Sequence, residues 1–199
     1  MQAYSAVKIA QYLLLPYLNN CRLVVDATSG NGYDSLFLAQ STPDDAIIFS
    51  FDIQNVALLK TKKLLDSHGL LNKVKLIEDS HDKINIYINQ EVDVVMFNLG
   101  YLPGATHDIT TQPDLTISAL EKSLALLRVG GIITVITYPG HATGLSEYLR
   151  IRELLSSISA RTFAVNSWKA VNQGNNPPVL FVIEKVRSEE RESSPTCEN

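Results

Sequence analysis

Six short groups of residues along this chain carry side chains that could bind a ligand or move a proton. The first is Asp26-Ala27-Thr28-Ser29-Gly30-Asn31-Gly32-Tyr33-Asp34. Here an acidic residue closes an apolar run, and Gly30 and Gly32 then permit positive φ and close approach of the backbone to a ligand. A helix begun directly after such a turn points unpaired N–H groups into the crevice above a sheet. The second group is Asp52-Ile53-Gln54, with Asp52 twenty residues beyond Gly32. An acid at about that distance accepts hydrogen bonds from ribose hydroxyls in nucleoside-binding α/β folds, and Gln54 can reach the same ligand. The third is Ser80-His81, placed to contact an adenine or an amino-acid group. The fourth is Asn98-Leu99-Gly100-Tyr101, the fifth the loop residues His107 and Asp108, and the sixth Tyr138-Pro139-Gly140-His141.

The first two groups separate two cofactor classes. A dinucleotide site wants a third glycine for close packing near the pyrophosphate, and that position is Ser35. S-adenosylmethionine has no pyrophosphate. It carries an ammonium, a carboxylate and a sulfonium, so Asp26 can face its positive end, Thr28 and Asn31 stand in the turn, and turn amides can hold its carboxylate. The fourth group suggests the acceptor. In amino-group methyltransferases the fourth strand often ends in Asn/Asp-Pro-Pro-Tyr. The side-chain oxygen accepts hydrogens of the target amine, and the aromatic ring packs on a planar base. Asn98 and Tyr101 stand at the matching ends, with Leu99-Gly100 between them. Tyr138, His141 and His107 are candidates for removing the amine proton. Tyr101 and Trp168 can stack on a splayed base; for Trp168 a partly buried strand-end position is an equal alternative.

These residues need a frame. Helical patterns cover Ser5 to Leu18, ended by Pro16 and Asn19-Asn20, and Asn55 to His68, with Val56, Leu59, Leu64 and Leu65 inward. Two more cover Pro113 to Leu127 and Gly144 to Ser157. Strands are predicted at 22–26, 46–52, 73–77, 91–98 and, after a Gly130-Gly131 turn, 132–137. Each candidate group therefore follows the end of a strand, where open α/β sheets bind ligands. Two further strands, 161–167 and 179–185, follow the fifth β-α unit. That ending predicts an α/β, Rossmann-like class I methyltransferase fold. Its seven-stranded sheet is mostly parallel with an antiparallel last strand. A dehydrogenase would continue with another β-α unit. Residues 1–185 form one domain, and 186–199 read as a disordered polar tail.

Composition narrows the class further. There are 17 Lys and Arg against 21 Asp and Glu, a formal charge of −4, so the broad basic footprint of many nucleic-acid binders is missing. Cys21 and Cys197 are read as free thiols, which suits a reducing compartment. No run reaches membrane-spanning length, and no secretory signal pattern opens the chain, so a cytoplasmic protein is expected. No metal is expected. A homodimer is compatible with the sequence, which does not fix the oligomeric state.

The set resembles the bacterial rRNA-methylase-type family assigned as tRNA 5-(aminomethyl)-2-thiouridine methyltransferases. The matching pieces are Asp26 to Gly32 with Asp34 and Leu36-Phe37-Leu38-Ala39, Asp52-Ile53-Gln54, Ser80-His81 and Asn98 to Gly104. They continue with Tyr138-Pro139-Gly140-His141 and Asn172-Gln173 with Asn175 and Pro177-Pro178. The resemblance implies S-adenosylmethionine as cofactor and the anticodon region of tRNA as partner, with conversion of wobble 5-aminomethyl-2-thiouridine to the 5-methylaminomethyl product. It implies that Asp26, Thr28, Gly30, Asn31, Gly32, Asp34, Asp52, Gln54, Ser80 and His81 hold the cofactor. Asn98, Tyr101, Tyr138 and His141 would then serve the reaction, with Tyr101, His107 and Trp168 on the substrate. Two departures stand out: Tyr33 where the family usually has His, and Ala105-Thr106-His107 where it usually has Gly-Asp-Lys. Methylation of rRNA or of a small molecule, and a non-catalytic S-adenosylmethionine-binding module, are the competing readings.

Overall fold

The computed structural model describes residues 5–100, 112–174 and 176–188. Among these, seven strands form one sheet in the order β3-β2-β1-β4-β5-β7-β6. The strands are β1 (Leu23–Asp26), β2 (Ile47–Asp52), β3 (Val74–Glu78), β4 (Val92–Asn98), β5 (Leu127–Thr137), β6 (Phe163–Lys169) and β7 (Val179–Lys185). The β3-β2-β1-β4-β5 pairings are parallel, and β7 runs antiparallel to both β5 and β6. The helices are α1 (Ala6–Leu18), α2 (Tyr33–Ser41), α3 (Asn55–Ser67), α4 (Ile84–Tyr87), α5 (Pro113–Leu126) and α6 (Ala142–Ser157).

Strand β4 explains why the sheet is central. Its residues Val94 and Met96 enter one core, and Val95 and Phe97 the other. A strand apolar on both faces has to be covered on both faces. Helices α1, α2 and α3 cover the Val94 side, and α4, α5 and α6 the Val95 side. The chain begins in the middle of the sheet, winds outward through β2 and β3, and returns to β4 beside β1. The reversal leaves a crevice above the C-terminal ends of β1 and β4, the usual ligand position in such sheets.

Several local expectations are corrected. Helix α1 runs through Pro16 rather than ending at it. Pro16 is on the solvent side of the helix, where a residue with no N–H to donate is tolerated. Helix α3 buries Ala57, Leu58, Thr61 and Leu65, leaving Val56 and Leu59 exposed. The inward face is set by the glycine turn. Thr61 Oγ1 lies 2.9 Å from Ser29 Oγ and donates to the Gly30 carbonyl at 3.3 Å. A Cβ on Gly32, whose φ is +84°, would lie 2.8 Å from the Thr61 Cα. Gly130-Gly131 lies inside β5 rather than before it. There the β4–β5 register shifts between Val92 and Val94, and a Cβ on Gly131 would lie 2.9 Å from the Asp93 carbonyl. Strand β6 begins at Phe163 and carries Trp168 within it.

The end of the sheet away from the crevice is tied by Asp93. One of its oxygens accepts from the Arg22 and Leu23 N–H groups at 2.8 and 2.9 Å, and the other pairs with Arg128. Burial alone would raise the Asp93 pKa, but these bonds hold it below the ordinary carboxylate value. Val186 donates its N–H to the Thr162 carbonyl at 2.8 Å, so the chain leaves the sheet just past β7. Residues 189–199, including Cys197, lie outside the described residues.

Candidate active site

The segments after β1 to β5 line one cavity of about 1070 Å³. Its wall contains Thr28, Gly30, Asn31, Asp34, Asp52, Gln54, Ser80, His81, Asn98, Tyr138 and His141. Eleven sequence-assigned residues thus come together from five loops. Tyr101 and His107 lie outside the described residues.

The turn after β1 is held by its own side chains. Asp26 is fully buried and does not line the cavity. Its Oδ1 accepts from the Thr28 N–H at 3.0 Å and its Oδ2 from the Ser35 hydroxyl at 2.6 Å. Ser35 in turn lies 2.7 Å from the Ser50 hydroxyl. Ser35, which breaks the dinucleotide pattern, is therefore the partner of a buried acid. Burial and the neighbouring Asp34 charge push the Asp26 pKa up to about 7. Gly32 also stays behind the wall, as the αL N-cap of α2 against Thr61. Both residues shape the turn, where the sequence suggested direct contact.

Asp52 sits where a ribose acid should. Its Oδ2 accepts from the Gly30 N–H and its Oδ1 from the Gln54 N–H, each at 2.8 Å. Both oxygens retain acceptor capacity for a diol. Burial raises its pKa, and the two backbone bonds oppose that rise. At the neighbouring strand end, just past β3, Asp79 accepts from the Lys83 ammonium at 2.7 Å and the Tyr87 hydroxyl at 2.9 Å, which with the Ser80 N–H lower its pKa. His81 packs edge-on against Phe97, with ring centroids 5.9 Å apart. Its Nε2 is buried with no hydrogen-bond partner among the described residues. Burial lowers the His81 pKa, so the ring is held neutral.

These features test the cofactor. Asp34, Asp52 and Asp79 line the cavity, and no Lys or Arg does among the described residues. A dinucleotide pyrophosphate would be repelled by such a wall, while a ligand with an ammonium and a sulfonium is attracted. Asp52 suits ribose hydroxyls, and the orphaned His81 nitrogen is the kind of buried group that a ligand satisfies. S-adenosylmethionine therefore fits the residues present. The volume lies at the upper end for one small ligand, which leaves room for part of a second substrate.

Asn98 closes the opposite side. Its N–H donates to Thr28 Oγ1 at 2.8 Å, its Nδ2 donates to Asp34 Oδ2 at 2.9 Å, and its Oδ1 accepts from the Tyr138 hydroxyl at 2.8 Å. Tyr138 was a candidate for proton removal. Burial and the Asp34 charge push its pKa up to about 12, so near neutral pH it keeps its proton and acts as a donor. His141 N-caps α6, accepting from the Gly144 N–H through Nδ1 at 3.1 Å. A Cβ at Gly144 would meet the Tyr138 carbonyl at 2.1 Å, so only glycine lets α6 begin this close to the site.

The likeness to known proteins follows the same lines. Residues 48–184 match the family model described as "Putative rRNA methylase". The chain belongs to this methylase family. It is 30% identical over 191 residues to the Arabidopsis thaliana protein named tRNA (mnm(5)s(2)U34)-methyltransferase, chloroplastic, covering 91% of this chain and 70% of that one. A solved rRNA-methylase structure from Clostridium thermocellum, also styled "putative", is 40% identical, with a TM-score of 0.89 over 93% of this chain and all of that one. A Streptococcus mutans structure styled "a putative methyltransferase", in complex with SAH, is 32% identical with a TM-score of 0.84, covering 92% and 99% of the two chains. This methylase family member is an S-adenosylmethionine-dependent methyltransferase with the class I α/β fold.

The remaining placements complete the site. Trp168 is half-buried and packs with Tyr138 against the α1-side core; it does not line the cavity. Gln112, Leu115, Asn176, Pro177 and Pro178 do line it, and sequence reasoning gave them no role. For the last three a signal existed. Val179 pairs with Thr137, so an antiparallel β7 starts at the ligand end of the sheet. The segment that leads into it must pass the crevice. No helix of the described residues is long and apolar enough to cross a membrane. No group of three or more His, Cys, Asp or Glu among them is placed to hold a metal.

Proposed function

We propose that this methyltransferase methylates the amine of wobble 5-aminomethyl-2-thiouridine in the anticodon region of tRNA, in the cytoplasm. The observation that carries the reading is Asn98 on the cavity wall, with an amide oxygen able to accept an amine N–H. The name of the 30% identical Arabidopsis relative supports it. Asp34, Asp52 and Asp79 make the cavity electronegative, which favours entry of an alkylammonium. Such an amine has a free pKa near ~10.4 and must lose a proton before it attacks. Leu99 and Leu115 give the wall an apolar part whose desolvation favours the neutral amine. S-adenosylmethionine, when bound, supplies a sulfonium methyl whose transfer leaves a thioether and, with the amine proton released, the methylamine. Asn98 holds one N–H so that the nitrogen lone pair can lie in line; such positioning supplies up to roughly 7–11 kcal/mol in favourable cases. His141 lines the cavity beside Tyr138, where it N-caps α6.

The test is mass spectrometry of nucleosides from tRNA bearing the unmethylated aminomethyl group, incubated with the protein and S-adenosylmethionine. The reading requires a gain of one methyl on that nucleoside. Methylation found only in rRNA, which the family description favours, would replace it.

A further inference from the structure

Asn98 poses a problem that the fold has to solve. Its amide is nearly symmetric in shape, and a half-turn about the Cβ–Cγ bond exchanges oxygen for NH2. With oxygen toward an incoming amine, the amide accepts an N–H and leaves the amine lone pair unoccupied. With NH2 outward, the amide donates to that lone pair and blocks the nucleophile. Only one of the two orientations supports methyl transfer, and local shape does not choose between them.

Two neighbours touch the amide. The Tyr138 hydroxyl lies 2.8 Å from Oδ1, but a hydroxyl can donate or accept, so it tolerates either orientation. Asp34 Oδ2 lies 2.9 Å from Nδ2, and a carboxylate only accepts. A flipped amide would set its oxygen against that carboxylate. Asp34 is itself fixed: it is 7% exposed, in the first turn of α2, and its other oxygen accepts from Gln11 Nε2 of α1 at 3.3 Å. Asp34 thus reaches Asn98 from the cofactor turn, across the crevice from the strand that carries the acceptor site.

We propose that Asp34 is a positioning residue that locks the Asn98 amide with its oxygen toward the acceptor amine. The inference rests on the amine reading above, and it assigns Asp34 to the acceptor side where the family resemblance assigns it to the cofactor. It also explains why an acid occupies a nearly buried position with no basic partner at hydrogen-bond distance among the described residues. The lock needs an obligate acceptor, and of the residue types that fit the space only a carboxylate is one.

The test is Asp34→Asn, which keeps the shape and replaces the obligate acceptor by a group that can turn either way. Asp34→Ser, whose hydroxyl is likewise able to donate or accept, serves if the first variant does not fold. The side-chain amide signals of Asn98, identified by their loss in Asn98→Asp, are followed by nuclear magnetic resonance without any substrate. Slow hydrogen exchange in the wild type and faster exchange in Asp34→Asn are expected, together with a fall in kcat of about 10²-fold, the size of a misplaced reacting group. The dissociation constant for S-adenosylmethionine should rise by much less than kcat falls, since Asp34 is one of three acids on the cavity wall. Unaltered Asn98 exchange in the variant would overturn the proposal. So would a loss of cofactor affinity as large as the loss of turnover, which would return Asp34 to the cofactor. The exchange measurement needs no acceptor, so it decides the lock even if wild-type protein leaves aminomethyl tRNA unmethylated, a result that would remove the proposed function instead.

Discussion

Gly32 and Gly69 both have positive φ, +84° and +69°, but only Gly32 is enclosed. A Cβ on Gly69 would meet nothing within 4 Å, whereas one on Gly32 would lie 2.8 Å from both the Cα and the Oγ1 of Thr61. Gly69→Ala therefore carries only the left-handed backbone penalty of about 1–2 kcal/mol. Gly32→Ala adds an overpacking penalty of about 1–3 kcal/mol, for a total of roughly 2–5 kcal/mol. Trimming Thr61 cannot relieve the clash, because one of the nearest atoms is its backbone Cα. Urea denaturation of the two variants reads the difference directly, and equal losses of stability would refute the close-packing argument. Gly32→Ala should also weaken S-adenosylmethionine binding, since separating α2 from α3 displaces Gly30 and Asn31 on the cavity wall. Gly69→Ala should leave binding unchanged. Calorimetric titration of both variants checks this.

Asp52→Asn should weaken cofactor binding by roughly 10- to 150-fold, because an NH2 group must face either the Gly30 or the Gln54 N–H and a charge-assisted bond worth about 1.5–3 kcal/mol is lost. Titration calorimetry reads it, and wild-type affinity would count against the ribose assignment. Asp26 has a folded pKa of about 7, above its unfolded value of 3.8, so the native state binds the extra proton in that window. Its contribution to stability therefore falls as pH rises from about 4 to about 7, by up to about 4 kcal/mol. Asp26→Asn should remove that slope relative to wild type in denaturation curves taken across the same range; parallel curves would contradict it. The Cys21 thiol is buried, lies 3.1 Å from the Leu18 carbonyl, and has its pKa pushed up to about 11, chiefly by burial. Peptide mass spectrometry should find Cys21 unalkylated by iodoacetamide at pH 8 until the protein is unfolded.

How far the sequence could be read depended on what each element is built from. Strand β4 was legible because a run with Val94, Val95, Met96 and Phe97 has no polar face to turn to water, which makes it central. The candidate groups were legible because each stands at a strand end, and a parallel sheet brings such ends to one edge. Helix α3 was misread because its large residues Val56 and Leu59 suggested the inward face. Thr61 packs on the glycine turn, which admits helix backbone but not bulk, and Ala57, Leu58 and the expected Leu65 are buried with it. Asp26 was misread for a related reason. A strand-end acid beside a ligand turn can point up into the crevice or down into the fold, and the choice is made by Ser35 and Ser50, which are distant in sequence but adjacent across α2 and β2.

The two sides of the cavity are built on different principles, and this bears on how substrate could change within the family. On the cofactor side the polar groups are tied to backbone, as Asp52 is to Gly30 and Gln54 and Asp26 is to Thr28. A change there disturbs the turn itself and therefore the fold. On the acceptor side Asn98 is held by other side chains, Asp34 and Tyr138, on elements that begin after different strands. Those partners can be altered one at a time without unpairing backbone groups in the sheet. Changes at Asp34 and Tyr138 should accordingly alter acceptor positioning more than they alter the cofactor turn, which is held by its own backbone bonds.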